Sequence, residues 1–240
     1  MTAIRNPGRV AGLWYLLLVL IGPLRLIYIP GKLFVHGDAG ATIGNIAAHP
    51  WLFRAGIVSE IAGGVVLIFL VLAFQRLFKG VDRNLAWLVV IFGGVMPGLL
   101  DFVGAALDGG TLMIARGADF LSVFGKPQQD ALAFLCLKLG DELTNAAEML
   151  WGVWLLPLAL LVYRSRMLPR WLGVWLYVNG LAYVLLCLTG ELLPQYQSAV
   201  FDYGQPVFFA EIALMLWLVI KGAQSPTDAI ESGSATPASA

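Results

Sequence analysis

The chain has 240 residues, of which 59% are hydrophobic and 12% are charged, and its mean hydropathy is +0.81. This composition excludes an ordinary soluble domain and is typical of a membrane protein. The formal net charge is zero and no basic block with interleaved aromatic residues occurs, so we expect no nucleic-acid partner.

Six apolar runs have the length of about 20 residues that a helix needs to cross the hydrocarbon layer. They cover residues 10–28, 55–78, 85–107, 143–163, 171–188 and 207–220. The first run follows two arginines, as a signal peptide would, but no small-residue cleavage site comes after it. We therefore expect an all-α polytopic membrane bundle of six transmembrane helices over residues 1–222, with the first helix retained.

The distribution of Lys and Arg near the span ends predicts the orientation. Short basic links such as "QRLFKGVDRN" and "RSRMLPR" lie on one side, whereas the basic residues of the other side are spread through longer connections. The first side is predicted to be cytoplasmic, and both termini face it. Residues 223–240 are small and polar, and we expect them to form a disordered cytoplasmic tail.

The predicted outer connections contain helical segments of their own. Residues 41–48, "ATIGNIAA", indicate a short helix that His49 and Pro50 end, because a residue before proline avoids the α region. The outer connection between the third and fourth spans, residues 109–142, predicts an amphipathic helix, a turn at "FGKP", and a helix that runs directly into the fourth span.

A short pattern around glutamate recurs in the three helices that run from outside to inside. "SEIA" at Ser59 has counterparts in "AEML" at Ala147 and "AEIA" at Ala210. A tandem repeat of three helical hairpins is one hypothesis for this pattern.

Ionisable residues form one predicted layer in the outer half of the bundle. Glu60, Glu148 and Glu211 lie about six residues from the outer ends of their predicted spans. Asp101 and Arg25 are similarly placed, and Arg54 precedes Glu60 by less than two turns. Charges at such depths are costly, so these side chains must pair, take up protons, meet water or hold a ligand.

Lys138, Asp141, Asn145 and Glu148 recur at helical spacing and form a polar stripe on the fourth helix. The candidate ligand-binding residues are the members of the layer together with Asn145 of this stripe. They are Arg25, Arg54, Glu60, Asp101, Asn145, Glu148 and Glu211. Three interpretations stay open: an outward-facing acidic pocket that binds or transports a small cation, a polar solute or a lipid headgroup; a structural set of ion pairs; and a metal-dependent hydrolase. We predict that Arg25 and Arg54 lie within ion-pair reach of at least two of the four acids.

No residue pattern assigns a catalytic group, a metal site or a cofactor. His36 and His49 are the two histidines, and both lie in the first outer connection, where a zinc site would need further ligands from the acids. Cys136 and Cys187 lie far apart in apolar segments without metal-ligand spacing. The expected partners are the lipid bilayer and a small solute or lipid.

Three stretches resemble bacterial integral membrane proteins of domain-of-unknown-function family 4386. They are "GDAGATIGNIAAHPWLFRAGI", "YRSRMLPRWLGVWL" and "AEIALMLWLVIKG". The resemblance implies a bacterial inner-membrane location and no particular reaction. It implies that the recurring family positions are Asp38, Thr42, Asn45, Arg54, Ser165, Pro169, Gly173, Glu211 and Trp217. With His49, the first three form a candidate outer-loop set.

Overall fold

The computed structural model describes residues 6–223, so the predicted disordered tail, apart from Ala223, lies outside the described residues. Within this range the chain forms seven helices and no strand. The helices are α1 (Pro7–Leu33), α2 (Ala39–Ala48), α3 (Pro50–Phe78), α4 (Arg83–Ala115), α5 (Lys126–Ser165), α6 (Arg170–Leu192) and α7 (Pro194–Ile220). All except α2 are long and apolar enough to cross a membrane, which confirms the predicted six-span, all-α architecture.

Several spans are longer than predicted because hydropathy detects only the part of a helix that hydrocarbon surrounds. The third span continues past residue 107 to Ala115 and ends where Gly117 takes a positive φ of 75°. The amphipathic helix predicted after this span is therefore largely its continuation, followed by a short 3-10 turn over Asp119–Leu121. The helix predicted to run into the fourth span is confirmed by α5.

The first connection contains the predicted short helix, α2. Asp38 caps its N-terminus, because the carboxylate accepts a hydrogen bond of 2.8 Å from the amide of Ala41. The helix ends before His49, and Pro50 begins α3 at the first helical position.

Two of the long helices contain a wider π-turn, at Leu24–Tyr28 in α1 and at Ile91–Val95 in α4. Each turn lies just before a proline, Pro30 or Pro97, that has no amide hydrogen for the regular helical bond. In these turns the backbone forms i→i+5 hydrogen bonds, so the helix stays continuous although the proline lacks a backbone donor.

The chain divides into two compact units. Among the described residues, unit I comprises residues 17–66 and 97–147. Unit II comprises residues 6–16, 67–96 and 148–223.

Unit I is built around a core of apolar residues that α2 helps to close. Ile43 and Ile46 of α2 are fully buried in this core. Its buried members are Ile29, Leu33, Ile43, Ile46, Phe53, Leu112, Ala115, Ala133 and Leu137. The hydroxyl of Thr111 also donates to the carbonyl of Ala133 at 3.3 Å, which joins α4 to α5. The short helix is therefore part of the fold of unit I.

Unit II uses glycines where its helices approach most closely. A Cβ atom placed on Gly152 of α5 would lie 2.6 Å from the carbonyl oxygen of Gly180 in α6. A Cβ atom on Gly180 would lie 2.8 Å from the carbonyl oxygen of Gly152. Small residues at such positions allow backbone contact between helices in a membrane.

The two ends of the described chain are hydrogen-bonded to each other in unit II. The side-chain amide of Asn6 donates to the carbonyl of Ala223 at 2.9 Å, and the amide of Ala223 donates back to Asn6 Oδ1 at 3.2 Å. Gly222 reaches this arrangement with a φ of +73°. The adjacent ends agree with an even number of spans, whereas their assignment to the cytoplasm stays a prediction.

Candidate functional site

The structure divides the predicted acids between the two units. Glu60 and Asp101 belong to unit I, and Glu148 and Glu211 belong to unit II. Each pair has its own surroundings within its unit.

The cluster in unit I is centred on Arg25, which lies in the π-turn of α1. Its guanidinium contacts both oxygens of Asp108 in α4, at 2.6 Å from Nε to Oδ2 and 3.2 Å from Nη2 to Oδ1. Glu60 Oε2 lies 3.8 Å from Arg25 Nε and receives no hydrogen bond from it. The side chains of Arg25, Glu60 and Asp108 are 12%, 15% and 1% exposed. We call these three residues the arginine clasp. Its Arg25 guanidinium and Asp108 carboxylate form a bidentate, charge-assisted pair, which is stronger than a hydrogen bond between neutral groups.

Acids and glycines face each other between α3 and α4 in unit I. A Cβ atom on Gly104 of α4 would collide with the carboxylate of Glu60 in α3. One on Gly64 of α3 would lie 3.2 Å from the carboxylate of Asp101 in α4. Gly64 thus admits the neighbouring helix one turn from Glu60, whereas a Cβ atom on Gly63 would meet nothing within 4 Å.

The prediction that Arg25 and Arg54 would lie within ion-pair reach of at least two of the four acids is wrong, because among the described residues Arg25 reaches only Glu60 of the four, at 3.8 Å. Its stronger partner, Asp108, was missed because the predicted span ended at residue 107 and left this acid in a connection. The same prediction is wrong for Arg54, which forms no ion pair within the described residues. Arg54 is exposed near the beginning of α3 and lies over the ring of Trp51 at 5.1 Å, where water can solvate it.

The cluster in unit II is centred on Glu211 of α7. Its Oε2 accepts a hydrogen bond of 2.5 Å from the hydroxyl of Tyr15, and its Oε1 accepts one of 3.4 Å from the amide of Asn179. The hydroxyl of Tyr183 also lies near this carboxylate. We call Tyr15, Asn179, Tyr183 and Glu211 the tyrosine–glutamate cluster. Its donors are all neutral, unlike the guanidinium of the arginine clasp.

Aromatic rings connect Glu148 to this cluster. The ring of Tyr183 contacts Trp151 edge-on with 6.0 Å between centroids and lies 4.7 Å from the ring of Phe208. Trp151 follows Glu148 by three residues, and Phe208 precedes Glu211 by three, so each ring lies one helical turn from a carboxylate. Tyr183 is accordingly flanked by the two turns that carry the acids.

Two buried oxygens in unit II accept no hydrogen bond from any described residue. They are Oδ1 of Asn179, a residue that is fully buried, and Oε2 of Glu148. Buried acceptors are almost always paired, and an unpaired one carries a desolvation cost. Because the Asn179 amide bonds to Glu211, its free oxygen lies beside the carboxylate.

The polar stripe on α5 begins at the surface of unit I. Lys138 and Asp141 form an ion pair of 2.9 Å between exposed or half-buried side chains. Asn145 is half-buried one turn further along the helix. Lys138, Asp141 and Asn145 therefore follow one another at helical spacing on α5 within unit I.

The outer-loop candidates hold the backbone of their own connection. The Thr42 hydroxyl accepts from the amide of Val35 at 2.9 Å and donates to the carbonyl of Asp38 at 2.9 Å. Asn45 donates to the carbonyl of Leu33 at 3.1 Å, and His49 Nδ1 lies 3.1 Å from the carbonyl oxygen of Asn45. His36 and His49 are exposed, and residues 6–223 contain no group of three His, Cys, Asp or Glu side chains able to hold a metal ion.

Comparison with known proteins gives a family and no activity. The model of the family described as "Domain of unknown function (DUF4386)" matches residues 10–222. An uncharacterized protein of Archaeoglobus fulgidus is 31% identical over 81 residues, an alignment that covers 34% of this chain and 47% of that protein. The chain thus spans about half the length of this relative. No solved structure matches the chain.

Proposed function

The chain belongs to the DUF4386 family, whose function is unknown, and from this premise we propose that this multi-pass membrane protein binds a small protonated amine at the tyrosine–glutamate cluster. The observation that carries the proposal is the carboxylate of the half-buried Glu211, which the described residues supply with hydroxyl and amide donors but with no basic side chain. Binding and transport are the two uses such a site supports.

The charge of the site favours a cationic ligand. A carboxylate in an apolar interior is costly unless it is paired and hydrogen-bonded. In unit I, Arg25 supplies the counter-charge to Asp108. In unit II the equivalent charge would come from the ligand.

The groups around Glu211 indicate an amine with N–H donors. The rings of Tyr15, Tyr183 and Phe208 suit an organic cation, because aromatic faces attract it. The free oxygens of Asn179 and Glu148 require donors, which a protonated amine carries and a quaternary ammonium lacks. A free amine and the ethanolamine headgroup of a lipid share this chemistry.

The test is ligand binding by the full chain in nanodiscs made of phosphatidylcholine. Ethanolamine, choline and sodium are titrated at equal ionic strength while tryptophan fluorescence and the thermal midpoint are recorded. We expect saturable binding of ethanolamine, weaker binding of choline, and no saturable response to sodium. A second set of nanodiscs containing phosphatidylethanolamine distinguishes the sources, since a lipid ligand would bind there and suppress the response to free ethanolamine.

The matched pair of variants is Glu211→Gln and Glu191→Gln. Both remove one carboxylate from unit II, but Glu191 is exposed on α6. We expect Glu211→Gln to abolish the response to ethanolamine and Glu191→Gln to retain it. Equal responses in the two variants, or equal binding of choline and ethanolamine, would contradict the proposal.

A second candidate role, structural pairing of acids with arginine, is favoured by the arginine clasp. The two contacts between Arg25 and Asp108 and the matching of acids to glycines suit a packing function for unit I. The hydrolase alternative has no such support, because the described residues provide no set of metal ligands.

A further inference from the structure

A second candidate site is an open cleft in unit I, where one end of α4 meets the beginning of α3. It has a volume of about 440 Å³. Its charged lining residues are Arg54, Arg116 and Asp119, and Leu112 and Met113 supply an apolar wall. The cleft is thus unlike the two buried clusters, because basic side chains dominate it.

Both arginines of the cleft present their guanidinium groups without a carboxylate partner among the described residues. Arg54 lies over the indole of Trp51, which leaves its N–H donors free to bind. Asp119 lines the same cleft and forms no ion pair within residues 6–223. Two positive charges against one negative charge favour an anionic ligand.

The position of the cleft places it where apolar helices end. Arg54 lies in the second turn of α3, which begins at Pro50, and Arg116 directly follows Ala115, the last residue of α4. Basic side chains at the ends of membrane spans extend toward the headgroup region. We therefore expect the cleft to lie at the level of lipid headgroups.

Exposed aromatic side chains next to the cleft support this level. Trp51 is 77% exposed and Phe120 is 67% exposed. Such side chains are enriched at the boundary between hydrocarbon and water, where the ring contacts lipid. Trp51 lies under the guanidinium of Arg54, and Phe120 directly follows Asp119 of the cleft. Basic and apolar groups at one place match the two parts of a phospholipid, an anionic group and an apolar body.

We propose that this cleft binds the phosphate of an anionic phospholipid, which Arg54 and Arg116 hold while Trp51 and Phe120 contact the lipid body. Guanidinium groups bind phosphate oxygens through paired hydrogen bonds, and basic pockets between membrane helices bind lipid headgroups. A free phosphate ion shares the anionic chemistry but lacks the apolar body. The proposal is independent of the amine site in unit II.

The test is native mass spectrometry of the full chain purified in detergent, with phosphatidylglycerol or phosphatidylcholine added in steps. We expect one phosphatidylglycerol to bind per chain in preference to phosphatidylcholine. The double variant Arg54→Gln/Arg116→Gln should lower the affinity for phosphatidylglycerol about tenfold or more, since each basic residue near anionic lipid contributes to binding. If this variant cannot be purified, the single variant Arg116→Gln carries the test.

The control is the double variant Lys126→Gln/Lys138→Gln, which removes the same charge from unit I. Both lysines are exposed and pair with acids on their own helix, at 2.6 Å and 2.9 Å, away from the cleft. We expect less than a twofold change in this control. Equal losses in the two double variants, or equal binding of the two lipids, would overturn the proposal. If inorganic phosphate stabilised the chain as strongly as phosphatidylglycerol does, the proposal that the ligand is a lipid would be overturned.

Discussion

The contact between Arg25 and Asp108 offers a direct measure of what buried charges contribute to this fold. We consider the variant Asp108→Asn, which keeps the shape of the side chain but removes its charge. The amide nitrogen would then face the guanidinium, and Arg25, whose side chain is only 12% exposed, would keep Glu60 as an acid at 3.8 Å. Breaking one side of a buried pair costs about 3 to 5 kcal/mol. We expect about 3 kcal/mol, the lower end, because Glu60 remains.

The comparison variants separate pairing from burial. Glu60→Gln should cost about 1 kcal/mol, because this carboxylate lies farther from Arg25 and makes no hydrogen bond with it. Arg25→Met should cost about 3 kcal/mol, since it leaves Asp108 and Glu60 without their cation. The double variant Arg25→Met/Asp108→Asn should be more stable than the sum of its parts by about 2 kcal/mol.

The assay is reversible unfolding in mixed micelles, with the fraction of dodecyl sulfate as the denaturant and tryptophan fluorescence as the signal. Free energies of unfolding for the four members of the cycle give the coupling energy directly. Additivity of the two single variants within about 0.5 kcal/mol would refute the reasoning, because residues that do not interact behave in that way.

Three further predictions use the same assay. Gly152→Ala should lower the free energy of unfolding by about 3 kcal/mol, because the added methyl group would meet the backbone of α6. The control Gly63→Ala adds a methyl group that meets nothing within 4 Å, so it should change this free energy by less than about 1 kcal/mol. Equal effects of these two substitutions would contradict the close helix contact in unit II. Tyr15→Phe should cost about 1 to 2 kcal/mol, because Glu211 loses its shortest hydrogen bond, and an unchanged stability would show that this bond contributes little. Thr42→Val should cost about 1 kcal/mol, because the amide of Val35 loses the hydroxyl oxygen to which it donates. Hydrogen exchange at this amide should become faster, and an unchanged exchange rate would exclude the contact.

The architecture was predictable because each span contains a long apolar run, and hydropathy reports such runs independently of packing. The ends of the helices were less predictable. Residues 108–115 include an aspartate and several small residues, so hydropathy alone ended the third span early. The helix continues because Asp108 finds a partner in Arg25 and Thr111 bonds to carbonyls of Leu107 and Ala133.

The candidate acids were found by their type, but of their partners only Arg25 was predicted. An ionisable residue in an apolar run is conspicuous, which identified Glu60 and Glu211 before any coordinates. Tyr15 and Asn179 are ordinary in such a run, and which side chains meet across helices depends on rotations that a single sequence does not encode. Asn179 did carry one signal, since an asparagine inside an apolar span needs a partner. Arg54 was predicted to pair with an acid of the layer but is exposed, because a side chain near the end of a span can turn toward water.

The hydrogen bonds between Asn6 and Ala223 have a consequence for protein engineering. Because the two backbone segments are already joined side by side, a short linker could replace the existing termini without moving either helix. New termini could then be opened at Gly37, an exposed position with a φ of +75° in the first connection. A circular permutant of this kind would place fluorescent or affinity tags at the opposite end of α1, beside the segments that Thr42 holds in place.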